Sequence, residues 1–305
     1  MENTEKPTHI WFKGKICEWS EALIHVWSEL ATRGTNVFEG IRCYRQKNGK
    51  YAILSLKSHL LRLEQSARLL HISNPYTIER LIKGIKELIK IVGDGRHLYI
   101  RPTIFVDYGR YGNLYEDAVV DAYIVCLPVE RDIAFQGIKC CISTFRRSDD
   151  SVMSPLIKAG ASYHALRLPI IEAKSVGYDD AIMLNSNGYV SETTSAAIFC
   201  VKNNKLISPP LSSGILDSIT RKHVIKLASI NNIAFIERDI TRMELYTFDE
   251  IFAVGTLCEI KPILQIDAHK IGNGNIGKIT NIISKQYFGI CDGTVEDKMG
   301  WLTYV

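Results

Sequence analysis

Apolar residues recur at helical spacing in two neighbouring stretches of the N-terminal half. Residues 58–70 place Leu60, Leu63, Ala67 and Leu70 on one stripe, and residues 77–92 place Ile78, Leu81, Ile82, Ile85, Leu88, Ile89 and Val92 on another. Asn74-Pro75 punctuates the gap between them. Elsewhere the period is two. Ile10 to Ile16 reads as a short strand interrupted at Lys13-Gly14, a hairpin signal. Residues 98–106 alternate so that Tyr99, Arg101, Thr103 and Phe105 share a face. An arginine there must pair or meet solvent, and a carboxylate partner suits it. Residues 121–127 and 138–144 give further strands, and the stretch from Asp107 to Asn113 reads as an aromatic, flexible loop. Residues 128–136 mix charges with an apolar tip, as an interdomain linker does.

The second half repeats the alternation of strand and helix. Residues 162–175 are helical in pattern, with an irregularity expected at Pro169. Residues 181–192 form a hairpin around Asn187-Gly188, which leaves Glu192 at a strand end, and a second hairpin turns at Asn203-Asn204. Ser218 is a good N-cap for a helix running through Lys226 and Leu227. Open N–H groups at Ile219 and Thr220 would make an anion site, although ordinary capping explains the same residues. Residues 252–258 read as a strand breaking at Gly255, with Thr256 supplying a hydroxyl.

Composition narrows the classes. A chain of 305 residues is long enough for two domains, and its net charge of +4 carries no dense Lys/Arg run. Arg146-Arg147 is an isolated pair and reads as part of a solvated surface. Neither nucleic acid nor an acidic membrane surface is expected as partner. The eight cysteines include no C-x-x-C pair and no histidine at zinc spacing, so no metal site is expected. Free buried thiols in a reducing compartment fit them better. The N-terminal residues are polar, unlike a signal peptide, and no apolar run reaches membrane-spanning length, so a cytoplasmic protein is expected. Gly272-Asn-Gly274-Asn-Ile-Gly277 matches a dinucleotide fingerprint, but too little chain follows it to complete the fold such a site needs.

Against that background Lys158 stands among small residues, in Lys158-Ala-Gly-Ala-Ser-Tyr163. Most lysines are solvated, and spacing alone makes Arg62, off the apolar stripe of its helix, a surface arginine as well. Phe38 lies between Gly34 and Gly40, which suits an ordinary edge strand or a pocket wall where a ligand approaches the backbone. A lysine, a carboxylate at a strand end, an arginine and two N–H-rich turns are nonetheless the parts that a pyridoxal phosphate site requires.

The segments Gly34-Thr-Asn-Val-Phe-Glu-Gly-Ile-Arg-Cys-Tyr44, Tyr99-Ile-Arg-Pro102, Lys158-Ala-Gly160, Gly188-Tyr-Val-Ser-Glu192, Ile219-Thr-Arg221, Gly255-Thr256 and Glu296-Asp-Lys-Met-Gly-Trp301 resemble the branched-chain amino acid aminotransferases of the fold-type IV (class IV) pyridoxal phosphate enzymes. The resemblance covers almost the whole chain. It implies an α/β (α+β) fold of two α/β domains with the cofactor, pyridoxal 5'-phosphate, at the domain interface. The division expected is 1–128 for a small N-terminal domain, 129–137 for an interdomain loop and 138–305 for a large domain carrying the lysine. It implies at least a homodimer. Residue by residue, it makes Lys158 the Schiff-base lysine and acid–base catalyst. Glu192 pairs with the pyridine nitrogen and Tyr163 with the phenolic oxygen. Arg62, Ile219, Thr220 and Thr256 hold the phosphate. Phe38, Tyr99 and Arg101 line the substrate pocket, with Arg101 suited to the distal carboxylate of glutamate, and the N–H groups of Leu257 and Cys258 receive the α-carboxylate.

Three departures bear on substrate. Arg33 stands where relatives commonly carry tyrosine, Ala197 where the pattern has asparagine, and the linker from Val129 to Phe135 lacks a pocket-closing tryptophan. An arginine at the pocket edge would favour an acidic or larger substrate; an Arg33 pointing to solvent would leave leucine, isoleucine and valine as substrates. The implied activity is ping-pong transamination between branched-chain L-amino acids and 2-oxoglutarate, the partners being small amino acids and 2-oxo acids. The alternative is a specialised class IV transaminase for an acidic or unusual biosynthetic amino acid. A D-amino acid transaminase or an aminodeoxychorismate lyase is opposed by the Phe-Glu-Gly-Ile-Arg-Cys-Tyr segment. A cofactor-free binding protein is opposed by the joint presence of Lys158, Glu192, Arg62 and Thr256.

Overall fold

The structure, a computed structural model, describes residues 6–108, 118–131 and 135–305. The tip of the N-terminal segment, most of the expected aromatic loop after Asp107, and linker residues 132–134 lie outside the described residues. The chain divides into two compact units: Met1–Arg131 with Ile157–Ala161 and Ile290–Val305, and Asp132–Leu156 with Ser162–Gly289. Lys158, in a stretch expected within the C-terminal domain, therefore packs with the first unit.

The first unit opens with β1 (His9–Phe12) and β2 (Lys15–Glu18), paired antiparallel through a two-residue turn. Lys13 and Gly14 both take positive φ there (48° and 86°), as a tight hairpin turn demands. Helix α1 (Glu29–Arg33), β3 (Asn36–Phe38), β4 (Ile41–Arg45) and β5 (Tyr51–Leu54) follow, then α2 (Leu56–Leu69), α3 (Ile78–Val92), β6 (Leu98–Tyr108) and β7 (Val119–Pro128). Together with β17 (Leu302–Tyr304), these strands form an eight-stranded sheet in the order β17-β5-β4-β6-β7-β1-β2, with β3 also on β6.

Helix α3 matches the expected span, because Thr77 caps it by accepting the Arg80 N–H at 3.2 Å. Its buried face is Leu81, Gly84, Ile85, Leu88 and Ile89. Helix α2 starts two residues before the expected stretch and buries more than its apolar stripe, because His59 and Ser66 are also inside.

In the second unit the order is β8 (Ile138–Arg146), α4 (Gly160–Ser175), β9 (Asp180–Leu184), β10 (Val190–Thr193), β11 (Ala197–Lys202) and β12 (Lys205–Ser208). Helix α5 (Ile219–Ile230), β13 (Phe235–Glu237), β14 (Glu250–Gly255), β15 (Glu259–Ile266), β16 (His269–Lys270) and α6 (Lys278–Asp292) complete it. Its nine-stranded sheet runs β10-β9-β8-β15-β14-β11-β12-β13, with β16 beside β15. Ile182, Ile198, Cys200, Ile251 and Ile263 contribute to one apolar core. The irregularity expected at Pro169 does not end α4, which continues to Ser175.

The fingerprint-like glycines form a turn ahead of α6, and the groups at that helix start argue against a dinucleotide site. The Glu250 carboxylate already accepts the N–H groups of Ile279 and Thr280 at 3.0 and 2.8 Å, and the Thr280 hydroxyl at 2.7 Å. An anion at that helix start would meet a carboxylate in place. Among the described residues no helix is long and apolar enough to cross a membrane. All eight cysteines are free, six of them buried.

Gly84 is a packing requirement. A Cβ there would stand 2.6 Å from Nε1 of the fully buried Trp11. Alanine gains about 1 kcal/mol of helix propensity over glycine, but overpacking against a rigid indole costs about 1–3 kcal/mol. Gly84→Ala is expected to lower the urea midpoint; a raised midpoint would contradict the packing argument.

Candidate active site

Lys158 is fixed by its backbone before its side chain does anything. Its N–H donates to Ser66 Oγ on α2 at 3.1 Å, and its carbonyl accepts the Phe38 N–H of β3 at 3.0 Å. Val37 and Ala159 form an antiparallel bridge alongside. This approach needs Gly160, where a Cβ would lie 2.6 Å from the Asn36 amide. The half-buried lysine places its ammonium 4.8 Å from the centre of the Phe38 ring.

The same ring carries Arg101, whose guanidinium carbon stacks 3.6 Å from its centroid. Among the described residues Arg101 has this aromatic face in place of the expected carboxylate partner. Phe38 is 3 % exposed, so the structure brings Lys158, Phe38 and Arg101 together around one buried ring. Tyr99 is two positions along β6 from Arg101, and a Cβ at Gly40 would stand 2.5 Å from its hydroxyl. Arg33 lies in the exposed last turn of α1, 3.9 Å from Glu29.

Arg62 corrects the expectation from spacing. It is no surface arginine: its side chain is 10 % exposed and forks onto Glu39, which is fully buried. Nε meets Oε1 at 2.6 Å and Nη2 meets Oε2 at 2.8 Å. His59, one turn earlier on α2, brings Nδ1 to 2.7 Å from Oε2. A carboxylate can only accept, so Nδ1 carries the proton. Burial pushes His59 down from its ordinary value, against the opposing pull of Glu39. Burial would raise Glu39, but the charge and hydrogen bonds of Arg62, with those of His59, outweigh it and hold the carboxyl at about 2. Neither Glu39 nor His59 stands out in the sequence. The one hint is that Glu39 alternates onto the face shared with Val37 and Ile41.

The second unit holds the remaining residues. Glu192 on β10 is 5 % exposed; its Oε1 meets Arg147 Nη2 at 2.7 Å, and its Oε2 accepts the Leu216 N–H at 3.4 Å. Arg147, which the sequence places in a solvated surface pair, has a side chain only 8 % exposed and also donates to the Gly214 carbonyl at 3.2 Å. Helix α5 begins as expected. Ser218 Oγ accepts the Arg221 N–H and the Ser218 carbonyl the Lys222 N–H. Among the described residues this leaves the N–H groups of Ile219 and Thr220 as the open donors of the helix start. Thr256 follows the end of β14, with Leu257 exposed and Cys258 half-buried beyond it. Desolvation pushes the Cys258 thiol up to about 12, so it is inert at neutral pH. Half-buried Tyr163 lies in the first turn of α4. Ala197 is absorbed into β11, buried and paired with Val254. A cavity of about 280 Å³ beside Arg147, lined also by Pro155, Leu156, Asn185 and Leu211, contains none of the residues expected to hold the cofactor.

With this geometry in place, comparison with known proteins is decisive at the level of family. Residues 36–266 match the family Amino-transferase class IV. The chain is 35 % identical over 307 aligned residues to the branched-chain-amino-acid aminotransferase of Escherichia coli K12, covering 99 % of each chain. The crystal structure of a branched-chain amino acid aminotransferase from Thermobaculum terrenum, in its PLP-form, superposes with a TM-score of 0.94 at 33 % identity, covering 98 % of this chain and 99 % of that one. A second crystal structure, of the T.th. branched-chain amino acid aminotransferase complexed with N-(5'-phosphopyridoxyl)-L-glutamate, gives 0.92 at 31 % identity, with the same coverage. The chain belongs to the class IV aminotransferases, within the branched-chain amino acid aminotransferase family, and has the mixed helix-and-sheet fold-type IV architecture of those enzymes. It is an aminotransferase.

The Glu39 carboxyl makes stability depend on acid. Its folded value, about 2, lies below the ordinary 4.5, so its contribution is fully present above pH 4.5 and is lost as pH falls from 4.5 towards 2. The size is on the order of 3 kcal/mol. Urea midpoints across that window are expected to fall less steeply for Glu39→Gln than for the wild type; equal slopes would contradict the assignment.

Proposed function

We propose that the protein is a pyridoxal phosphate-dependent transaminase acting on leucine, isoleucine and valine, with glutamate and 2-oxoglutarate as the other pair. The observation that carries this is Lys158, anchored at its N–H and its carbonyl and set against Phe38 with Arg101. The donors fit the cofactor by their chemistry. The first unit offers a primary amine and a buried, oriented guanidinium. The second offers a carboxylate whose Oε2 is only loosely occupied, at 3.4 Å, and a helix start with open N–H groups beside the Thr220 hydroxyl.

Pyridoxal phosphate, when bound, supplies an aldehyde for the amine and an electron-withdrawing ring. In this reading Lys158 Nζ would hold the cofactor through its aldehyde and would be the base that takes up the proton of the substrate α-carbon and gives it back. Glu192 Oε2 accepts the pyridine N–H, while Arg147 keeps Oε1 in place. Tyr163 donates to the phenolic oxygen. Arg62, the N–H groups of Ile219 and Thr220 and the Thr256 hydroxyl bind the phosphate. Phe38 and Tyr99 pack against an apolar side chain. Arg101 binds the distal carboxylate of glutamate, and the N–H groups of Leu257 and Cys258 take the α-carboxylate. One set of groups would serve donor and acceptor in turn, so that the first 2-oxo acid leaves before the second binds, as ping-pong kinetics require.

The branched-chain substrates are supported by the names of the relatives, and glutamate by the ligand in the second of the two crystal structures. Arg33, exposed and near Glu29, gives no support to the acid-selective alternative. The six buried free thiols favour a reducing, cytoplasmic setting. Leu23, Val26 and Trp27, 74 %, 80 % and 58 % exposed, favour a homodimer or larger homo-oligomer.

Lys158→Ala is expected to reduce leucine:2-oxoglutarate transamination by about 10³-fold or more while the fold, read by circular dichroism, is kept. A Lys158→Ala protein with wild-type turnover would remove the proposed mechanism.

A further inference from the structure

The ion pair of Arg62 and Glu39 is built more elaborately than packing requires. A buried Arg–carboxylate pair is on average no more stabilising than apolar residues of the same volume, because the desolvation of two charges offsets their attraction. Here three groups converge within one buried cluster. Arg62 uses its Nε and Nη2 edge, and His59 adds a third hydrogen bond at 2.7 Å to the same carboxylate. His59 and Arg62 stand one turn apart on α2, while Glu39 lies in the link between β3 and β4, its N–H donating to the Pro102 carbonyl at 2.9 Å. The carboxylate is thus held by both backbone and side chain, with 0 % exposure.

A guanidinium is planar, so two parallel bonds on one edge fix the plane and direct the Nη1 corner away from the carboxylate. An arginine otherwise has many rotamers to lose on meeting an anion. From this geometry we propose that Glu39 is a positioning residue: braced by His59, it locks the plane of Arg62 so that the guanidinium meets the phosphate of pyridoxal phosphate already aligned. The inference rests on the reading of Arg62 as a phosphate ligand. It adds that the alignment is set from behind the guanidinium, by a carboxylate and a histidine that do not touch the cofactor. The carboxylate sits opposite a dianion, so its benefit is in orientation and not in attraction.

The test is to strip the full-length protein of cofactor and titrate it with pyridoxal phosphate and with pyridoxal, which lacks the phosphate, following tryptophan fluorescence. The ³¹P resonance of the loaded protein is recorded in parallel. Wild type is expected to prefer the phosphorylated form strongly, and Arg62→Lys to lose most of that preference. Glu39→Gln keeps the shape of the side chain and is expected to weaken pyridoxal phosphate binding about 10- to 100-fold, as loss of a bracing partner does at other sites. Pyridoxal binding should change less than about twofold, and the ³¹P line should shift or broaden. His59→Asn, milder and the variant to use if Glu39→Gln fails to fold, is expected to move the same readouts in the same direction by less. If Glu39→Gln or its substitute weakens both ligands equally, or keeps the wild-type preference while Arg62→Lys loses it, the positioning role is overturned and the Arg62 reading survives. If Arg62→Lys keeps the preference, the Arg62 reading fails, and the inference falls with it.

Discussion

The site depends on holding one short segment, residues 157–161, in the first unit. A lysine side chain is long and loses about 2 kcal/mol of rotamer freedom when fixed. Its amine can act at one point only if the backbone below it does not move. Ser66 takes the Lys158 N–H, Phe38 supplies an N–H to its carbonyl, and the Val37–Ala159 bridge extends the contact. Gly160 makes it possible by leaving room for Asn36. Helix α2 does double service, because the face that carries Ser66 also carries His59 and, beside it, Arg62. The amine and the proposed phosphate ligand are therefore referenced to one rigid element.

Both units also solve a similar electrostatic problem in the same way. Each buries a carboxylate and pairs an arginine with it: Glu39 with Arg62 in the first, Glu192 with Arg147 in the second. Neither charge could remain buried alone without a penalty of several kcal/mol. The two pairs nonetheless face different tasks. In the first the arginine is proposed to meet the cofactor and the carboxylate stands behind it. In the second the carboxylate is proposed to meet the cofactor and the arginine stands behind. The same hydrogen-bonded pair can thus present either sign of charge, depending on which member is turned outward.

Much of the fold is legible wherever a local signal decides local structure. The α3 stripe with its Thr77 cap, the Ser218 cap of α5 and the hairpins at Asn187-Gly188 and Asn203-Asn204 all appear where spacing and turn chemistry put them. The site is legible only in part. Arg62 lies off the apolar stripe, and its burial is caused by a carboxylate 23 positions away that no periodicity reveals. Arg147 reads as half of a surface pair because its partner, Glu192, is far along the chain. Glu39 falls on an alternating strand face where a carboxylate reads as solvated. Lys158 packs with the first unit because of long-range bonds to residues 38 and 66, which no local pattern encodes. For the glycine-rich turn before α6 the sequence argues only from the shortness of the following chain, while the structure supplies a stronger reason in the Glu250 carboxylate at that helix start.

The most direct test of the whole account is the visible spectrum of the purified wild-type protein with pyridoxal phosphate, titrated separately with leucine, isoleucine, valine, glutamate, D-alanine and acidic amino acids. The account predicts a visible band that is bleached by the three branched-chain amino acids and by glutamate and restored by 2-oxoglutarate. A band that ignores leucine, isoleucine and valine but answers another donor would contradict the proposed substrate, and the absence of any band after added cofactor would contradict the role given to Lys158.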